Sequence, residues 1–453
     1  MSSTYIGERG PFRKSNRSAY ANFLRGKYEM YTGAERVRSY PSYLTFDPSD
    51  VCQLRCPTCP TGIENHSKRD RSSAPTIYRR QRTQLGRELF DAVMDEMGEY
   101  LFLIVFYDWG EPLLNKQLPD FIRAAHALEI ETEINTNLSL RLTDAFIEDL
   151  LSSGLDYIEV SIDGFSQATY ETHRRGGNLE LVKSNLERLA ATRERLGLET
   201  SITYNFIVFS FNEHEIRAAR RYARQLGVNF NTRDAFTDDR EWLPSYRKNE
   251  KPRHSDEELA ALPTREGQPR PHYARWTPLQ DRGGSKSISA CGWHYGYSVI
   301  TAGGPVQPCC AVAHENDDFG TVVPGRTRFA DVWNGDRYRG SRAAFAGRET
   351  VDPAADTVCT SCYFPEMMQH MYSLHDMKVI ARFNETLAES EPALDAAFRL
   401  FGRTRFGRVV DALYRRGIFL PLVQAAVLNG DQANVGPFVE FYETYLLDEK
   451  AHR

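Results

Sequence analysis

The sequence predicts an α/β fold in which parallel strands and outer helices form a full or partial TIM-like (β/α) barrel, followed by a smaller domain and a helical extension. The first supporting observation is that strand-like and helix-like segments alternate from Tyr43 onward, which is typical of parallel strands inside a layer of helices. The second is the continuous apolar run at 101–107, a pattern typical of a parallel strand buried on both faces. The third is that the eight cysteines fall into two groups, within 52–59 and 291–362, so the chain contains two separate thiol-rich sites.

Each element follows from its local pattern of apolar residues. The first strand is expected at 43–47 and leads directly into the first cysteine group. Further strands are expected at 101–107, 131–136, 157–162, 201–209, 297–301 and 306–308. Helices are expected at 21–31, 86–98, 119–128, 143–152, 179–196 and 213–227. Because functional groups gather at the carboxyl ends of barrel strands, the cysteine group after the first strand lies where a site is expected.

Composition divides the chain of 453 residues into five parts, in agreement with a length that exceeds one ordinary hydrophobic core. Residues 1–42 are expected to form an N-terminal helical extension, and residues 43–235 the barrel core. Residues 236–289 are rich in Pro, Arg, Lys, Glu and Gly with weak periodicity, which indicates a linker or lid. Residues 290–378 hold the second cysteine group, and residues 379–453 form a helical extension expected to offer a homodimer surface.

The charge balance and the cysteine usage restrict the partners and the compartment. A net charge of −5 with 26% charged residues gives no general attraction to nucleic acid or to acidic membranes. The chain has no apolar run of membrane-spanning length and no signal peptide at its polar N-terminus. Cysteines grouped in this way favour metal sites in a reducing compartment over disulfides. We therefore expect a cytoplasmic protein with no nucleic-acid or membrane partner.

Three cysteines at C-x3-C-x2-C spacing form the first group: Cys52, Cys56 and Cys59. One loop can wrap a single metal centre with such thiols, and soft sulfur ligands select iron–sulfur chemistry over hard cations. Three thiolates leave a four-iron cubane one ligand short, so the open iron can bind a substrate or cofactor. A zinc site or a disulfide remains the alternative, although no second cysteine or histidine pair lies nearby in the sequence.

At these residues the chain resembles the radical SAM superfamily, whose motif has this same spacing. The resemblance implies that Cys52, Cys56 and Cys59 hold a 4Fe-4S cluster whose open iron chelates S-adenosylmethionine (SAM). It also implies reductive cleavage of SAM to a 5′-deoxyadenosyl radical, with the electron supplied by an external reductant of the flavodoxin or ferredoxin type. Thr58 stands where the family often has an aromatic residue that packs on the adenine, so the adenine contact is left unassigned.

A turn after the second strand supplies the next part of the resemblance. Gly110, Glu111 and Pro112 match the end of the family's Gly-Gly-Glu-Pro motif, which implies contact with the SAM amino group, while Trp109 replaces the first glycine. A carboxylate facing an ammonium, beside a glycine that allows close backbone approach, is a sound physical arrangement. In isolation the same three residues are typical of an ordinary turn.

Other SAM contacts are expected at the ends of the following strands. The resemblance implies that hydroxyl, amide and carboxylate side chains there meet the ribose and carboxylate of SAM, and that an arginine pair adds a bidentate contact. Each of these residues is also a plausible helix cap or exposed turn residue. The candidates are Thr136, Asn137, Ser161, Asp163, Arg174 and Arg175.

An acidic group just beyond residue 230 supplies the substrate candidates. Asp234, Asp238, Asp239 and Glu241 follow a barrel strand, where substrates of this fold lie, and could pair with substrate amines or hydroxyls. A solvated linker is the alternative explanation for the same charges.

The second cysteine group contains Cys291, Cys309, Cys359 and Cys362. Here the chain resembles the SPASM/twitch group of radical SAM enzymes, and the lack of cysteines after Cys362 implies the short twitch form with one auxiliary 4Fe-4S cluster. Four thiolates satisfy four irons and favour electron transfer, whereas a structural zinc is the alternative. Cys310 is interpreted as a non-ligand or as a competitor for the place of Cys309.

The spacing of both groups resembles that of 2-deoxy-scyllo-inosamine dehydrogenase-like enzymes. The resemblance implies hydrogen abstraction from a carbinol carbon of a carbohydrate-like small molecule, namely a sugar, an aminocyclitol or an aminoglycoside-type compound. Net dehydrogenation would follow, with the auxiliary cluster as electron acceptor. Redox-neutral dehydration of a diol in an aminoglycoside-type substrate and maturation of a ribosomal peptide remain alternatives. The short N-terminal segment argues against the peptide alternative.

Overall fold

A computed structural model describes residues 12–62, 82–235, 237, 239–248, 291–312, 314–348, 357–361, 375–376 and 378–379. Its centre is a nine-stranded sheet in the order β6-β5-β4-β3-β2-β1-β7-β8-β9. The first six strands are β1 (Tyr43–Phe46), β2 (Leu103–Val105), β3 (Glu131–Thr136), β4 (Tyr157–Ser161), β5 (Ser201–Val208) and β6 (Asn229–Asp234). The last three are β7 (Tyr297–Ile300), β8 (Pro305–Gln307) and β9 (Gly320–Thr321).

The strands from β6 to β7 all pair in parallel, as the predicted barrel requires, and β8 and β9 add an antiparallel edge. Because β7 pairs directly with β1, the second cysteine region extends the sheet that carries the first. The predicted domain boundaries stay predictions, but the described residues on either side of the linker share one sheet.

Helices connect the parallel strands and begin and end at recognisable caps. Thr143 accepts a hydrogen bond from the Phe146 amide, and Asn178 caps the next long helix in the same way. That helix ends at Gly197, whose φ of 62° lies in the left-handed region that favours glycine. None of the described helices is long and apolar enough to cross a membrane. The described helices are α1 (Arg17–Thr32), α2 (Arg87–Met97), α3 (Leu118–Ala127), α4 (Asp144–Ser152), α5 (Gln167–His173), α6 (Leu179–Leu196), α7 (Ile216–Gln225), α8 (Phe329–Trp333) and α9 (Asp336–Phe345).

The two faces of the sheet differ in polarity, because successive side chains of a strand point to opposite sides. One face carries Leu44, Ile104, Ile134, Ile158 and Ile202, which are fully buried in the core shared with the helices. We call the opposite side the inner face. The pairing register places Tyr43, Leu103, Glu131, Val105, Glu133, Tyr157, Asn135, Glu159, Ser161, Thr203, Asn205, Asn231 and Arg233 on that side.

The N-terminal segment covers the amino ends of the strands. The Phe12 ring packs 5.7 Å from Phe102 and 6.1 Å from Tyr43, and Arg13 pairs with Asp156 at 2.8 Å. Lys14 Nζ donates to two backbone carbonyls there, and burial lowers its pKa to about 8. This placement leaves the carboxyl ends of the strands to the loops that carry the predicted site.

The predicted α/β architecture is confirmed, and the differences in single elements have local causes. The predicted strands and helices occur within a few residues of their expected bounds. Strand β6 was missed, because five of the six residues in Asn229–Asp234 are polar and the strand lies at the edge of the sheet. Helix α5 was also missed, since its seven residues are too few to establish a period.

Candidate active site

The first three cysteines lie in the loop that follows β1. The Cys59 amide donates to the Cys56 carbonyl at 3.2 Å, which closes a turn between the last two thiols. A side chain at Gly62 would meet the Cys56 carbonyl oxygen at 2.3 Å, so the loop closes on itself only with glycine there. The amide of Arg55 donates to the carbonyl of Arg175 at 3.0 Å and fixes the outer side of the loop.

The three thiols lie close enough together to affect one another's ionisation. Burial raises the pKa of Cys52 well above its usual value, and the charges of Glu111, Cys56 and Cys59 add to the effect. Burial likewise raises the pKa of Cys56 to about 12 and also raises that of Cys59, against backbone N–H donors from Thr61 and Gly62. A shared cationic centre is what would hold all three as thiolates. This donor set therefore fits a cluster.

The arrangement of the thiols bears on the zinc alternative. Among the described residues, no three thiol, imidazole or carboxylate groups are placed to hold a single metal ion. A lone zinc would draw each thiolate to about 2.3 Å, whereas a cubane places a separate iron under each thiolate. The three thiols supply one ligand fewer than the four that a structural zinc site uses.

The turn after β2 packs directly on the cysteine loop. A Cβ on Gly110 would lie 1.5 Å from the backbone oxygen of Ser49, so the close approach depends on glycine. The next amide, that of Glu111, donates to the Val51 carbonyl at 2.8 Å. The predicted SAM-binding turn and the cysteine loop therefore form one unit.

The Glu111 carboxylate joins this unit to the end of β3. One oxygen accepts from Thr136 Oγ1 at 2.6 Å and from the Leu113 amide at 3.1 Å, and the other accepts from the Asn137 amide at 2.9 Å. Burial raises the pKa of Glu111 to about 7, although these donors lower it. A carboxylate has about four acceptor positions, so one position remains for a further donor such as an ammonium.

Asn137 ties β3 to the cysteine loop from the other side. Its Nδ2 lies 3.7 Å from Cys52 Sγ, and its Oδ1 accepts from Gln53 Nε2 at 2.8 Å. The amide of Ser139 donates to the same oxygen at 2.9 Å. Thr136 and Asn137 thus both form hydrogen bonds with residues of the loops around the thiols.

Asp163, at the end of β4, anchors a buried ion pair beside Cys56. Its carboxylate accepts from Arg174 Nε at 2.6 Å, from His173 Nδ1 at 2.7 Å and from the Ile207 amide at 2.9 Å. Although burial raises it, the charge of Arg174 and the bond from His173 hold the pKa of Asp163 at about 2. The Arg174 side chain also donates to Cys56, so it links β4 to the cluster loop.

Thr58 is connected to this ion pair through an imidazole. Its Oγ1 lies 2.8 Å from His173 Nε2, and the His173 ring packs 4.7 Å from Phe209. Trp242 stands edge-on to Phe209 at 5.4 Å. The aromatic surface near the third cysteine is therefore supplied by distant segments rather than by position 58.

Several candidates have local partners away from the thiols. Ser161 Oγ donates to Asn135 Oδ1 at 2.9 Å, and the Arg175 side chain is exposed. Asp234 accepts from Tyr246 and faces Arg247, and Asp239 caps the turn that contains Glu241. Ser161 lies on the inner face, whereas the register of β6 places Asp234 on the opposite side. Asp238 lies outside the described residues. The predicted contacts of Ser161 and Arg175 with SAM stay predictions. The same holds for the role of the acidic group, Asp234, Asp238, Asp239 and Glu241, with substrate.

Sequence reasoning missed a second set of polar side chains on the inner face. We call Tyr107, Glu133, Asn135, Glu159 and Arg233 the inner-face patch. Asn135 Nδ2 donates to Glu159 Oε1 at 2.5 Å, and Arg233 pairs with the other Glu159 oxygen. Burial and the charges of Glu133 and Glu159 raise the pKa of Tyr107. The alternation of polar residues along β3 was the available signal, since it places carboxylates on a sheltered face.

The second site gathers the described cysteines of the C-terminal region. Burial raises the pKa of Tyr338, and the charges of Cys359 and Cys309 raise it further, which places both thiols near this phenol. Cys291 lies just before β7 and is buried, and Cys362 lies outside the described residues. His294 Nε2 is 3.3 Å from Cys359 Sγ. Three of the four predicted thiols are thus in one region.

Two basic groups border this second site. Burial, together with the charge of Arg342, lowers the pKa of His294 to about 3, so its imidazole is neutral. Arg342 is fully buried, donates to the His294 carbonyl at 2.9 Å and stacks 4.7 Å from Trp333. Charged and hydrogen-bonding neighbours of this kind are the usual means by which a protein adjusts the reduction potential of a thiolate-bound centre.

The adjacent thiols Cys309 and Cys310 face different surroundings. Burial and the charge of Asp108 raise the pKa of Cys310 to about 12. Burial raises the pKa of Tyr297 on the inner face, and Glu133 and Cys310 contribute to that shift. Cys310 is therefore near the inner face, and Cys309 is near Tyr338. This placement favours Cys309 over Cys310 as the ligand of the second centre.

Comparisons with known protein families agree with this geometry. The radical SAM superfamily model matches residues 47–223, and the iron–sulfur cluster-binding SPASM model matches residues 291–363. The chain belongs to the radical SAM superfamily. These two domains confirm the predicted cofactors of this radical SAM enzyme, which are SAM and the SAM-binding and auxiliary 4Fe-4S clusters.

Curated relatives of this radical SAM enzyme include cyclases of two kinds. The PqqA peptide cyclase of Granulibacter bethesdensis is 25% identical over 317 residues, which cover 66% of this chain and 77% of the relative. The probable GTP 3′,8-cyclase of Methanococcus maripaludis is 30% identical over 119 residues, which cover 26% of this chain and 38% of the relative.

Solved structures with similar folds include BtrN in complex with AdoMet and 2-DOIA, at 16% identity and a TM-score of 0.37, over 68% of this chain and 88% of that chain. Streptococcus suis SuiB bound to the precursor peptide SuiA is 14% identical with a TM-score of 0.45, over 75% of this chain and 73% of that chain.

Proposed function

We propose that this radical SAM enzyme abstracts a hydrogen atom from a carbinol carbon of a carbohydrate-like small molecule and oxidises that carbon to a ketone. The observation that carries the proposal is the inner-face patch, where carboxylate, amide, phenol and guanidinium groups line the sheltered side of the same sheet that carries the thiols. Such a lining suits a ligand rich in hydroxyl groups, because a polar ligand satisfies polar groups that an apolar one leaves unpaired.

In this proposal, Cys52, Cys56 and Cys59 hold the first cluster. When bound, that cluster and SAM supply a 5′-deoxyadenosyl radical. Glu111 offers its remaining acceptor position to the SAM ammonium, and Gly110 allows the backbone to approach. Pro112 follows in the turn, where its fixed φ stabilises the backbone.

Thr136, Asn137, Ser161 and Asp163 act in this proposal from the ends of β3 and β4, where they hold the loops around SAM. Arg174 is hydrogen-bonded to Asp163. Arg175, whose side chain is exposed, is therefore the arginine proposed to reach the SAM carboxylate. Precise placement of the reacting carbon matters because misplacement by about 1 Å can cost about 100-fold in rate.

Oxidation of the substrate must remove two electrons and two protons in total. One hydrogen atom leaves from carbon to the 5′-deoxyadenosyl group. The hydroxyl proton then passes to a base or water, and one further electron leaves as the C=O bond forms. Cys291, Cys309, Cys359 and Cys362 are the residues proposed to hold the centre that accepts that electron, while an external flavodoxin- or ferredoxin-type protein reduces the first centre.

The test is anaerobic reconstitution with SAM, a reductant and a panel of aminocyclitols, sugars and peptides, with 5′-deoxyadenosine and products followed by mass spectrometry. We expect 5′-deoxyadenosine and a ketone only with a carbohydrate-like compound, and no 5′-deoxyadenosine from Cys56→Ala. A product that has lost one water, with no net oxidation, would support diol dehydration instead. Wild-type SAM cleavage by Cys56→Ala contradicts the assignment of the first site.

Peptide modification is the second candidate, and the relative that favours it is the PqqA peptide cyclase, of which 77% aligns with this chain. The same panel separates the two candidates. Formation of 5′-deoxyadenosine that depends on a peptide, with no response to any carbohydrate, would replace the carbohydrate proposal.

A further inference from the structure

A fully buried arginine borders the second site. Arg342, on α9, has no exposed surface. Its guanidinium donates to the backbone carbonyl oxygens of His294 at 2.9 Å, Trp333 at 2.9 Å and Glu35 at 3.1 Å, and in the described part of the chain no carboxylate pairs with it. Within that same part, its Nη2 nitrogen is buried without a hydrogen-bond partner. Burial of a charge is costly unless the charge is paired, so this residue indicates a negative partner that the protein binds.

His294 lies between this arginine and a thiol of the second site. Its carbonyl accepts from Arg342, and its Nε2 lies 3.3 Å from Cys359 Sγ. The imidazole packs edge-on against the rings of Phe345 at 5.4 Å and Tyr338 at 6.1 Å. These contacts hold the ring with Nε2 toward the sulfur.

The surroundings of the imidazole decide which nitrogen carries the proton when Cys359 is a cluster ligand. A ligated sulfur has no proton and can only accept a hydrogen bond. Nδ1 of His294 is buried and has no hydrogen-bond partner among the described residues. A proton on Nδ1 would leave a buried donor unpaired and would direct the Nε2 lone pair at the sulfur, so the proton belongs on Nε2. A doubly protonated ring would donate through the same nitrogen.

The segment that carries Cys359 is bonded to the helix that carries the arginine. Ser341 Oγ lies 2.6 Å from Thr357 Oγ1, which accepts from the Cys359 amide at 3.3 Å. Burial raises the pKa of Tyr338 on the same helix, while the charge of Arg342 lowers it and that of Cys359 raises it. The cation and the thiol therefore lie around one phenol ring and share one support.

We propose that His294 and Arg342 raise the reduction potential of the auxiliary 4Fe-4S cluster, His294 by donating from Nε2 to the Cys359 sulfur and Arg342 by its buried positive charge. Reduction adds one electron to a thiolate-bound centre that is already negative, and both groups stabilise the added charge. The low polarity around a buried cation strengthens its effect. The inference goes beyond the proposed function, because it concerns the second cluster alone and applies with any substrate. A raised potential suits a centre that receives an electron.

The test is an EPR-monitored redox titration of the reconstituted full-length enzyme with SAM, in which the auxiliary signal is the one that Cys56→Ala retains. His294→Phe keeps a packed ring and removes the donor. We expect its equilibrium constant for reduction of the cluster to fall about tenfold, which is about 59 mV in potential for a one-electron couple. His294→Gln offers an amide donor and should recover part of this shift.

Two arginine variants separate the charge of Arg342 from its hydrogen bonds. Arg342→Gln removes the charge and keeps an N–H donor for the carbonyl oxygens, so it should lower the potential. Arg342→Lys keeps the charge and should stay closer to the wild type. Iron and sulfide per chain and the thermal unfolding midpoint show which variants are folded and loaded. Loss of the cluster from both variants would make Arg342 a structural residue and reject its part in the proposal.

Arg339→Gln is the matched control for the loss of a positive charge. Arg339 lies on the same helix, but its side chain is 40% exposed and pairs with Asp336 at 3.5 Å. Because solvent screens an exposed charge, this variant should keep the wild-type potential.

Pulsed EPR on protein with isotopically labelled histidine gives a second readout. A hydrogen-bonded imidazole should give a weak nitrogen coupling to the reduced cluster, and His294→Phe should remove it. A strong coupling, as expected for a nitrogen bound to iron, would make His294 a ligand and overturn the proposal.

The remaining outcomes also decide the question. An unchanged or higher potential in His294→Phe overturns the role of His294, and an equal shift in Arg339→Gln and Arg342→Gln overturns the role of the buried charge. A lowered potential in His294→Phe and Arg342→Gln, with no ketone from any carbohydrate, would support this inference while the proposed function fails. Ketone formation with the wild-type potential in both variants would do the reverse.

Discussion

Replacement of Gly110 by alanine tests whether the turn after β2 positions the cysteine loop. The added Cβ would lie 1.5 Å from the Ser49 carbonyl oxygen and 2.6 Å from its carbon, where real Cβ contacts are essentially never closer than 3.0 Å. Both obstructing atoms are backbone, so no side chain can rotate away. The turn or the loop must therefore move by about 1.5 Å.

A displacement of that size removes the bond from the Glu111 amide to the Val51 carbonyl, now 2.8 Å long. Overpacking costs roughly 1–3 kcal/mol, and the lost hydrogen bond adds about 1 kcal/mol. The Glu111 carboxylate moves with the turn, so we expect SAM affinity to fall by about tenfold or more.

The assay combines SAM calorimetry, iron per chain after anaerobic reconstitution, and the thermal unfolding midpoint. Gly86→Ala is the matched control, because nothing lies within 4 Å of a Cβ there and its φ is −95°. The control should match the wild type. A Gly110→Ala variant with the SAM affinity and iron content of the control would refute the reasoning.

Three further predictions concern the thiols and the charges around them. Cys359→Ala should reduce iron from about eight to about four per chain and still form 5′-deoxyadenosine but little ketone; near-normal ketone formation with about four irons rejects the electron-acceptor role. Glu111→Gln should weaken SAM binding by about tenfold or more, and unchanged affinity in calorimetry would make Glu111 purely structural. Asp163→Asn should lower the free energy of unfolding by roughly 3–5 kcal/mol at neutral pH, because buried Arg174 loses its partner. The folded-state pKa of Asp163 is depressed to about 2, so its stabilising contribution is present above its usual pKa and is lost as the pH falls toward about 2. Chemical denaturation across that pH range should show this loss of unfolding free energy in the wild type but not in Asp163→Asn. The same pH dependence in the variant would exclude the ion pair as the cause of the loss.

Local patterns in the sequence determined the architecture and the first site. The apolar runs that became β2 and β4, and the helix at Leu179–Leu196, depend on contacts repeated every few residues and are readable without the fold. The spacing of Cys52, Cys56 and Cys59 is equally local, because one loop carries all three thiols.

Only the tertiary structure decided which partners the site residues have. Glu111 bonds to Thr136, 25 positions away, and Arg174 turns to Asp163 while the side chain of its neighbour Arg175 is exposed. No local pattern specifies such pairs, because they depend on which strand ends come to lie side by side.

The end of β6 shows the physical reason most directly. Arg233 and Asp234 are neighbours in sequence, yet Arg233 pairs with Glu159 on the inner face and Asp234 bonds to Tyr246 away from it. A shift of one residue in strand register exchanges the two faces, and the pairing of Ile207 with Arg233 sets that register. The sequence by itself determined that charged residues occur at this strand end, and the register of β5 and β6 decided which of them meets the inner-face patch.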